Sequence, residues 1–218
     1  MKSLLVAPLL FVVASCAGPH HHGGHGHADL TVATPFDPAF EAPWMLATER
    51  MRLEPLRPAV AKLDYDGFMS SIPHLQNALR WGSWPSEGFE LAQNEKDLQR
   101  HWDEFGRGEA FAYTVLTPDR ERCIGCVYVN PVEGSPRAAV VNYWVTADTL
   151  DADFDTYLLA EVSKWFEERW PLDRAEFPTH REYTRGFEVA DRAGLNPPDT
   201  LVGDDGEELG RPAPYWSR

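Results

Sequence analysis

Residues 110–145 hold three strand-length apolar runs separated by connections too short for a crossover, and this block constrains the fold most. Ala110–Leu116 ends in the turn signature Thr117-Pro118-Asp119, and Cys123–Val129 ends at Asn130-Pro131. Ala138–Val145 comes after Gly134-Ser135-Pro136. Strands joined this closely pair antiparallel, which predicts a three-stranded meander. The segment after the meander has another period. From about Asp153 to Trp170, Phe154, Leu158, Val162, Trp165 and Phe166 recur on one helical face, and Pro171 ends the run. A short strand over Arg174–Pro178 and a helix over Arg181–Ala193, stopped by Gly194, come next. A strand, helix, strand succession after a meander implies an α/β (α+β) fold with a mixed sheet and helices on both faces.

The flanking residues extend this order. Met45–Leu53 reads as a first strand. Pro58–Ile72 reads as a helix with Val60, Leu63, Phe68 and Ile72 near one face. A loop comes next at Arg80-Trp81-Gly82-Ser83-Trp84-Pro85, where the two tryptophans either cap a groove or staple the loop to the core. Phe89–Phe105 reads as a helix with Leu91, Leu98, Trp102 and Phe105 inward, stopped by Gly106 and Gly108. Late edge elements are expected over Thr200–Val202 and after Gly206.

With 20 basic against 34 acidic residues, the net charge of −14 lacks the clustered Lys and Arg that phosphate backbones need, so no nucleic-acid partner is expected. The first residues carry a different signal. Lys2 precedes the apolar run Leu4–Ala14, which is too short to span a bilayer and has the form of a secretory leader. Val13-Ala14-Ser15-Cys16 resembles a bacterial lipobox, in which the cysteine is lipidated and becomes the new N-terminus. The alternative is translation from Met45 or Met51. The first reading predicts an exported protein held to the cell envelope by lipid on Cys16, with residues 1–15 as signal peptide.

Residues 16–44 then form a tether. His20, His21, His22, His25 and His27 cluster among glycines, and neutral imidazoles suit Zn or another transition metal. Weak metal capture and a plain flexible tether are both open. Pro35, Pro38 and Pro43 suggest extended chain laid on the domain, which occupies residues 45–218.

The element order, with Val141-Asn142-Tyr143-Trp144-Val145 running into the long helix, resembles the GNAT acyltransferase superfamily. In its ribosomal-protein and small-molecule N-acetyltransferase branch this strand often reads I-G-Y-W-V. Val189-Ala190-Asp191-Arg192-Ala193-Gly194-Leu195 is similar to that branch's V-L-E-K-L-G-F helix end. The likeness covers roughly residues 48–215. It implies fourth and fifth strands that splay, with acetyl-CoA between them and Asn142, Tyr143, Trp144, Val145, Thr146 and Ala147 lining the cofactor site.

The chain departs from the pattern where the diphosphate would sit. The family's turn, R/Q-x-x-G-x-G/A, offers backbone amides at a helix N-terminus. Here Thr146–Asp155 contains Asp148, Asp151, Asp153 and Asp155, whose expected role is to cap the helix. Each carboxylate ~5 Å from a diphosphate would repel it by about 3 kcal/mol at an effective dielectric of ~20. In the last helix, positions that often hold Asn and Ser in the branch hold Tyr183 and Gly186, and Ala190 replaces a general-acid Tyr of many family members. Tyr183 and Glu182 are the candidate acid and base.

Two further groups are weak. Cys123 and Cys126 lie three apart on a strand, which predicts opposite faces. His74, His101 and His180 are too scattered to suggest a metal site. Three functions are open: a lipid-anchored GNAT-like domain with a degenerate acetyl-CoA site that binds a small molecule or protein partner, an active N-acyltransferase using acyl-CoA, or a metal-binding lipoprotein using the His run.

Overall fold

The computed structural model describes Phe36 and residues 39–199, 201–202, 206, 208–210 and 212–218. The leader, Cys16 and the clustered histidines His20, His21, His22, His25 and His27 lie outside the described residues.

A hairpin of β1 (Leu46–Ala47) and β2 (Arg52–Pro55) opens the sheet, so the expected single first strand is interrupted by a turn. A 3-10 turn at Pro58–Val60 leads into α1 (Ala61–Met69), and α2 (Ile72–Leu79) comes after two serines. The single helix expected over Pro58–Ile72 is thus divided. Ser70 Oγ donates to the Gly67 carbonyl at 2.7 Å and ends α1, while Pro73 sits in the first turn of α2, where its missing N–H costs nothing. The long helix α3 (Leu91–Arg107) runs through Gly106 and ends only at Gly108, which takes φ of 71°.

The meander forms as the turns require: β3 (Phe111–Leu116), β4 (Cys123–Val132) and β5 (Ser135–Val145) pair antiparallel. A 3-10 turn at Ala147–Ala152 precedes α4 (Phe154–Arg169), which crosses to β6 (Arg174–Glu176), parallel to β5. Then come α5 (Thr184–Arg192), a small hairpin of β7 (Leu201–Val202) and β8 (Glu208–Gly210), and β9 (Tyr215–Ser217), which closes the sheet edge antiparallel to β6. The seven-stranded mixed sheet has the order β1-β2-β3-β4-β5-β6-β9.

Two apolar layers cover it. Leu158, Val162, Phe166 and Val189 of α4 and α5 pack against Tyr113, Val127 and Val141 on one face. Phe68, Leu75 and Leu98 of α1–α3 pack against Ala112, Cys126 and Trp144 on the other. Phe36 is buried in the first layer against Phe111 and Trp170, and Phe40 packs beside it. Among the described residues no helix is long and apolar enough to cross a membrane.

Between β3 and β4 strand parity fails at one place. Val115 pairs with Gly125 but Leu116 pairs with Cys123, so Ile124 is the extra residue of a bulge. Cys123 and Cys126 therefore both enter the α1–α3 layer instead of opposite faces, while Ile124 enters the other.

Candidate functional site

β5 and β6 pair only over Ala138–Val140 with Arg174–Glu176. Beyond that, Val141–Val145 continues without β6, so the two strands diverge as the sequence resemblance implies. The gap between them is nearly filled. His74 and Leu75 of α2, Tyr143, Trp144 and Val145 of β5, and Tyr183 before α5 leave a cavity of about 40 Å³. Burial pushes the hydroxyls of Tyr143 and Tyr183 above the ordinary phenol value, and the nearby Asp155 carboxylate adds to this. Burial lowers His74, against the opposing pull of Asp155, so this imidazole is held toward its neutral form.

The turn after β5 has several of its amides engaged by the protein. Thr146 N–H donates to the Ile124 carbonyl at 3.0 Å, and Ala147 N–H to Ser71 Oγ at 2.9 Å. Asp153 N–H donates to the Leu150 carbonyl at 3.1 Å. Of the aspartates expected to cap α4, Asp153 stands at the N-cap position with φ of 50° and makes no side-chain cap bond, while Asp155 accepts the first-turn Thr156 N–H at 3.0 Å. Asp155, 3% exposed, takes a two-pronged ion pair from Arg185 at 2.7 and 2.9 Å. The same guanidinium donates to the Leu150 carbonyl at 3.1 Å. Arg192 pairs with Asp153 at 3.1 Å and Arg122 with Asp148 at 2.5 Å. Three of the four carboxylates are therefore not bare, contrary to what the sequence suggested, since arginines of α5 and of the β3–β4 turn pair with Asp148, Asp153 and Asp155. The α4 N-terminus carries an internal carboxylate–guanidinium pair instead.

The cofactor-lining residues divide between two faces. Tyr143, Trp144 and Val145 edge the small gap, whereas Asn142 lines a second cavity of about 300 Å³ over the α1–α3 face. Trp81, Trp84, His101, Tyr128 and Asp64 line it too. Trp84 packs on Phe68 with ring centres 5.2 Å apart, and the partly exposed Trp81 stands over Tyr128 at 5.8 Å, so one tryptophan staples and the other caps. The candidate pair separates. Tyr183 faces the small gap, while Glu182 is exposed and ion-paired to Arg80. Of the scattered histidines, His74 enters the gap and His101 the larger cavity, while His180 bonds the Asn77 carbonyl at 2.6 Å. Sequence reasoning missed α2 as the gap's filler; Pro73 as a helix-start residue was the available signal.

A family model described as an acetyltransferase (GNAT) domain matches residues 50–196. The chain belongs to that family. No curated protein matches it by sequence. The fold is shared with a ribosomal-protein-S5-alanine acetyltransferase from Vibrio fischeri at 15% identity and TM-score 0.63, covering 80% of this chain and 99% of that one. It is shared with the microcin C7 self-immunity acetyltransferase MccE, solved with acetyl-CoA and AMP, at 12% identity and TM-score 0.63, covering 78% and 93%. RimJ of Mycobacterium smegmatis, solved with a CoA disulfide, matches at 19% identity and TM-score 0.56 over 76% and 78%.

Proposed function

We propose that this GNAT domain is a binding module that takes a small ligand, or a protein side chain, in the cavity over α1–α3 and has lost the diphosphate seat of an acetyl-CoA enzyme. The observation that carries this reading is the Asp155–Arg185 pair at the α4 N-terminus, beside a turn in which the amides of Thr146, Ala147, Thr149 and Asp153 are already bonded. A diphosphate there would have to displace the carboxylate from its guanidinium, and the strand gap would have to widen well beyond about 40 Å³ to admit an acyl chain. The residues present do not fit the cofactor. The larger cavity, about 300 Å³, joins aromatic walls to Asp97, Arg100, Asn130 and Asn142 at its edge and suits a small ligand with an apolar face and hydrogen-bonding groups.

Family membership favours a second reading, acyl transfer from an acyl-CoA to an amine, as the named functions of the structural neighbours suggest. Calorimetric titration of the mature chain with acetyl-CoA separates the two. No heat at millimolar cofactor is expected; micromolar affinity, with loss of acetyl-CoA in the presence of an amine, establishes transfer and refutes the binding module.

We further propose that the domain is exported and held by lipid on Cys16, on the strength of the Lys2, Leu4–Ala14 and Val13–Cys16 pattern. Mass spectrometry of the membrane fraction tests this. An acylated N-terminus at Cys16 that disappears in Cys16→Ala is expected, and an unmodified chain beginning at Met1, Met45 or Met51 overturns it.

A further inference from the structure

A buried carboxylate and two buried thiols meet beside the larger cavity. Cys126 Sγ lies 3.2 Å and Cys123 Sγ 4.0 Å from Asp64 Oδ1, and the three donor atoms all lie within 4.8 Å of one another. Two features of the backbone bring them together. The bulge at Ile124 turns Cys123 to the same face as Cys126. Gly67 lets α1 settle on β4, since a Cβ there would stand 2.9 Å from the Cys123 carbonyl.

We propose that Asp64, Cys123 and Cys126 form a binding site for a thiophilic divalent cation of the Zn²⁺ class. Tetrahedral zinc, with Zn–S of about 2.3 Å and Zn–O of about 2.0 Å, requires O···S edges of about 3.5 Å and an S···S edge of about 3.8 Å. The two O···S distances of 3.2 and 4.0 Å bracket the first value, so these edges need adjustments of about 0.5 Å, and the sulfurs lie within 4.8 Å of each other.

The surroundings are those of a supported ligand set. Asn94 Nδ2 donates to Asp64 Oδ2 at 2.9 Å and to the Ala61 carbonyl at 3.0 Å, which leaves Oδ1 toward the sulfurs. This is the outer hydrogen bond that orients a ligating carboxylate. Thr114 Oγ1 donates to Cys123 Sγ at 3.4 Å, a bond that steadies a thiolate. Without a cation, the Cys126 thiol donates to Asp64 Oδ1 at 3.2 Å. Cation entry releases both thiol protons to solvent and leaves two thiolates and a carboxylate around a 2+ charge, so affinity rises with pH.

Three protein donors leave one tetrahedral position, as in zinc sites that bind exogenous ligands. Asp64 lines the cavity of about 300 Å³, so water or a ligand held there has access to the carboxylate end of the site. The site is distinct from the His run, which carries no sulfur.

The test uses the full chain carrying Cys16→Ala, reduced, with Co²⁺ as probe. Thiolate-to-cobalt charge-transfer absorption reports sulfur ligation alone, so histidines of the tether do not contribute to it. The expected result is saturation at one equivalent, displacement by Zn²⁺, and affinity lowered at least tenfold in Asp64→Asn and at least a hundredfold in Cys126→Ser. Absence of charge-transfer absorption in the reduced chain overturns the proposal, and this arm needs no substituted ligand to fold. It is equally overturned if absorption is unchanged in folded Cys126→Ser, or if the protein isolated from cells carries the two sulfurs as a disulfide that reforms in the presence of Zn²⁺.

Discussion

Replacing Arg185 by Met tests whether the α4 N-terminus is organised around an internal ion pair. The guanidinium makes two bonds to Asp155, at 2.7 and 2.9 Å, and one to the Leu150 carbonyl at 3.1 Å. In Arg185→Met the carboxylate, 3% exposed, keeps only the Thr156 N–H at 3.0 Å as a hydrogen-bond donor. Removing one partner of a fully buried pair costs about 3–5 kcal/mol. The Arg185 side chain is 30% exposed, so water enters its place and the expected loss falls to about 2–4 kcal/mol. For a chain of this length that lowers the melting temperature by about 4–16 °C. Urea denaturation gives the free energy, with an unchanged m-value as the check that only stability moved. Arg192→Met is the control, because its pair with Asp153 is exposed on both sides and should cost less than about 1 kcal/mol. Arg185→Met with Asp155→Leu should lose less than Arg185→Met alone, since no uncompensated charge is then buried. A loss in Arg185→Met no larger than in Arg192→Met, or strict additivity in the double variant, refutes the account of this turn.

Burial lowers His74, so the folded state binds fewer protons than the unfolded state below about pH 6.5, and its contribution to stability declines as pH falls through that region. NMR titration should place its midpoint below 6.5, and His74→Gln should show a shallower loss of stability on acidification; a midpoint above 6.5 contradicts the assignment. Gly67→Ala should destabilise by about 1–3 kcal/mol although alanine favours helix, because its Cβ would stand 2.9 Å from the Cys123 carbonyl; urea denaturation showing a stabilised variant would mean α1 yields freely there.

Most of the topology was legible because it rests on short connections and long periodic stripes. The meander and the α4 stripe allow one pairing and one buried face, and the structure has both. The misreadings occur where a local residue has two meanings. The periodicity reads as one helix over Pro58–Ile72, whereas in the structure Ile72 and Pro73 begin a second one. Gly106 reads as a stop but is carried inside α3, whose end is fixed by the left-handed Gly108. At the site, the unusual aspartates were visible in the sequence, but their partners were not. Arg122, Arg185 and Arg192 lie far from them along the chain, and only the folded arrangement shows that Asp148, Asp153 and Asp155 are paired. The Asp64–Cys123–Cys126 grouping was hidden for a related reason. Asp64 lies on another element, and strand parity placed the cysteines apart.

That single supernumerary residue in β4 has a bearing on how relatives should be compared. Any alignment that runs through Ile124 without a one-position gap assigns every later side chain in the strand to the wrong layer of the domain. In a relative lacking the irregularity, a cysteine three positions before the one matching Cys126 should lie beneath α4, out of reach of an acidic partner on α1. Whether a family member carries the pair of thiols on one side is thus decided by strand length, one residue more or fewer, before any side chain is changed.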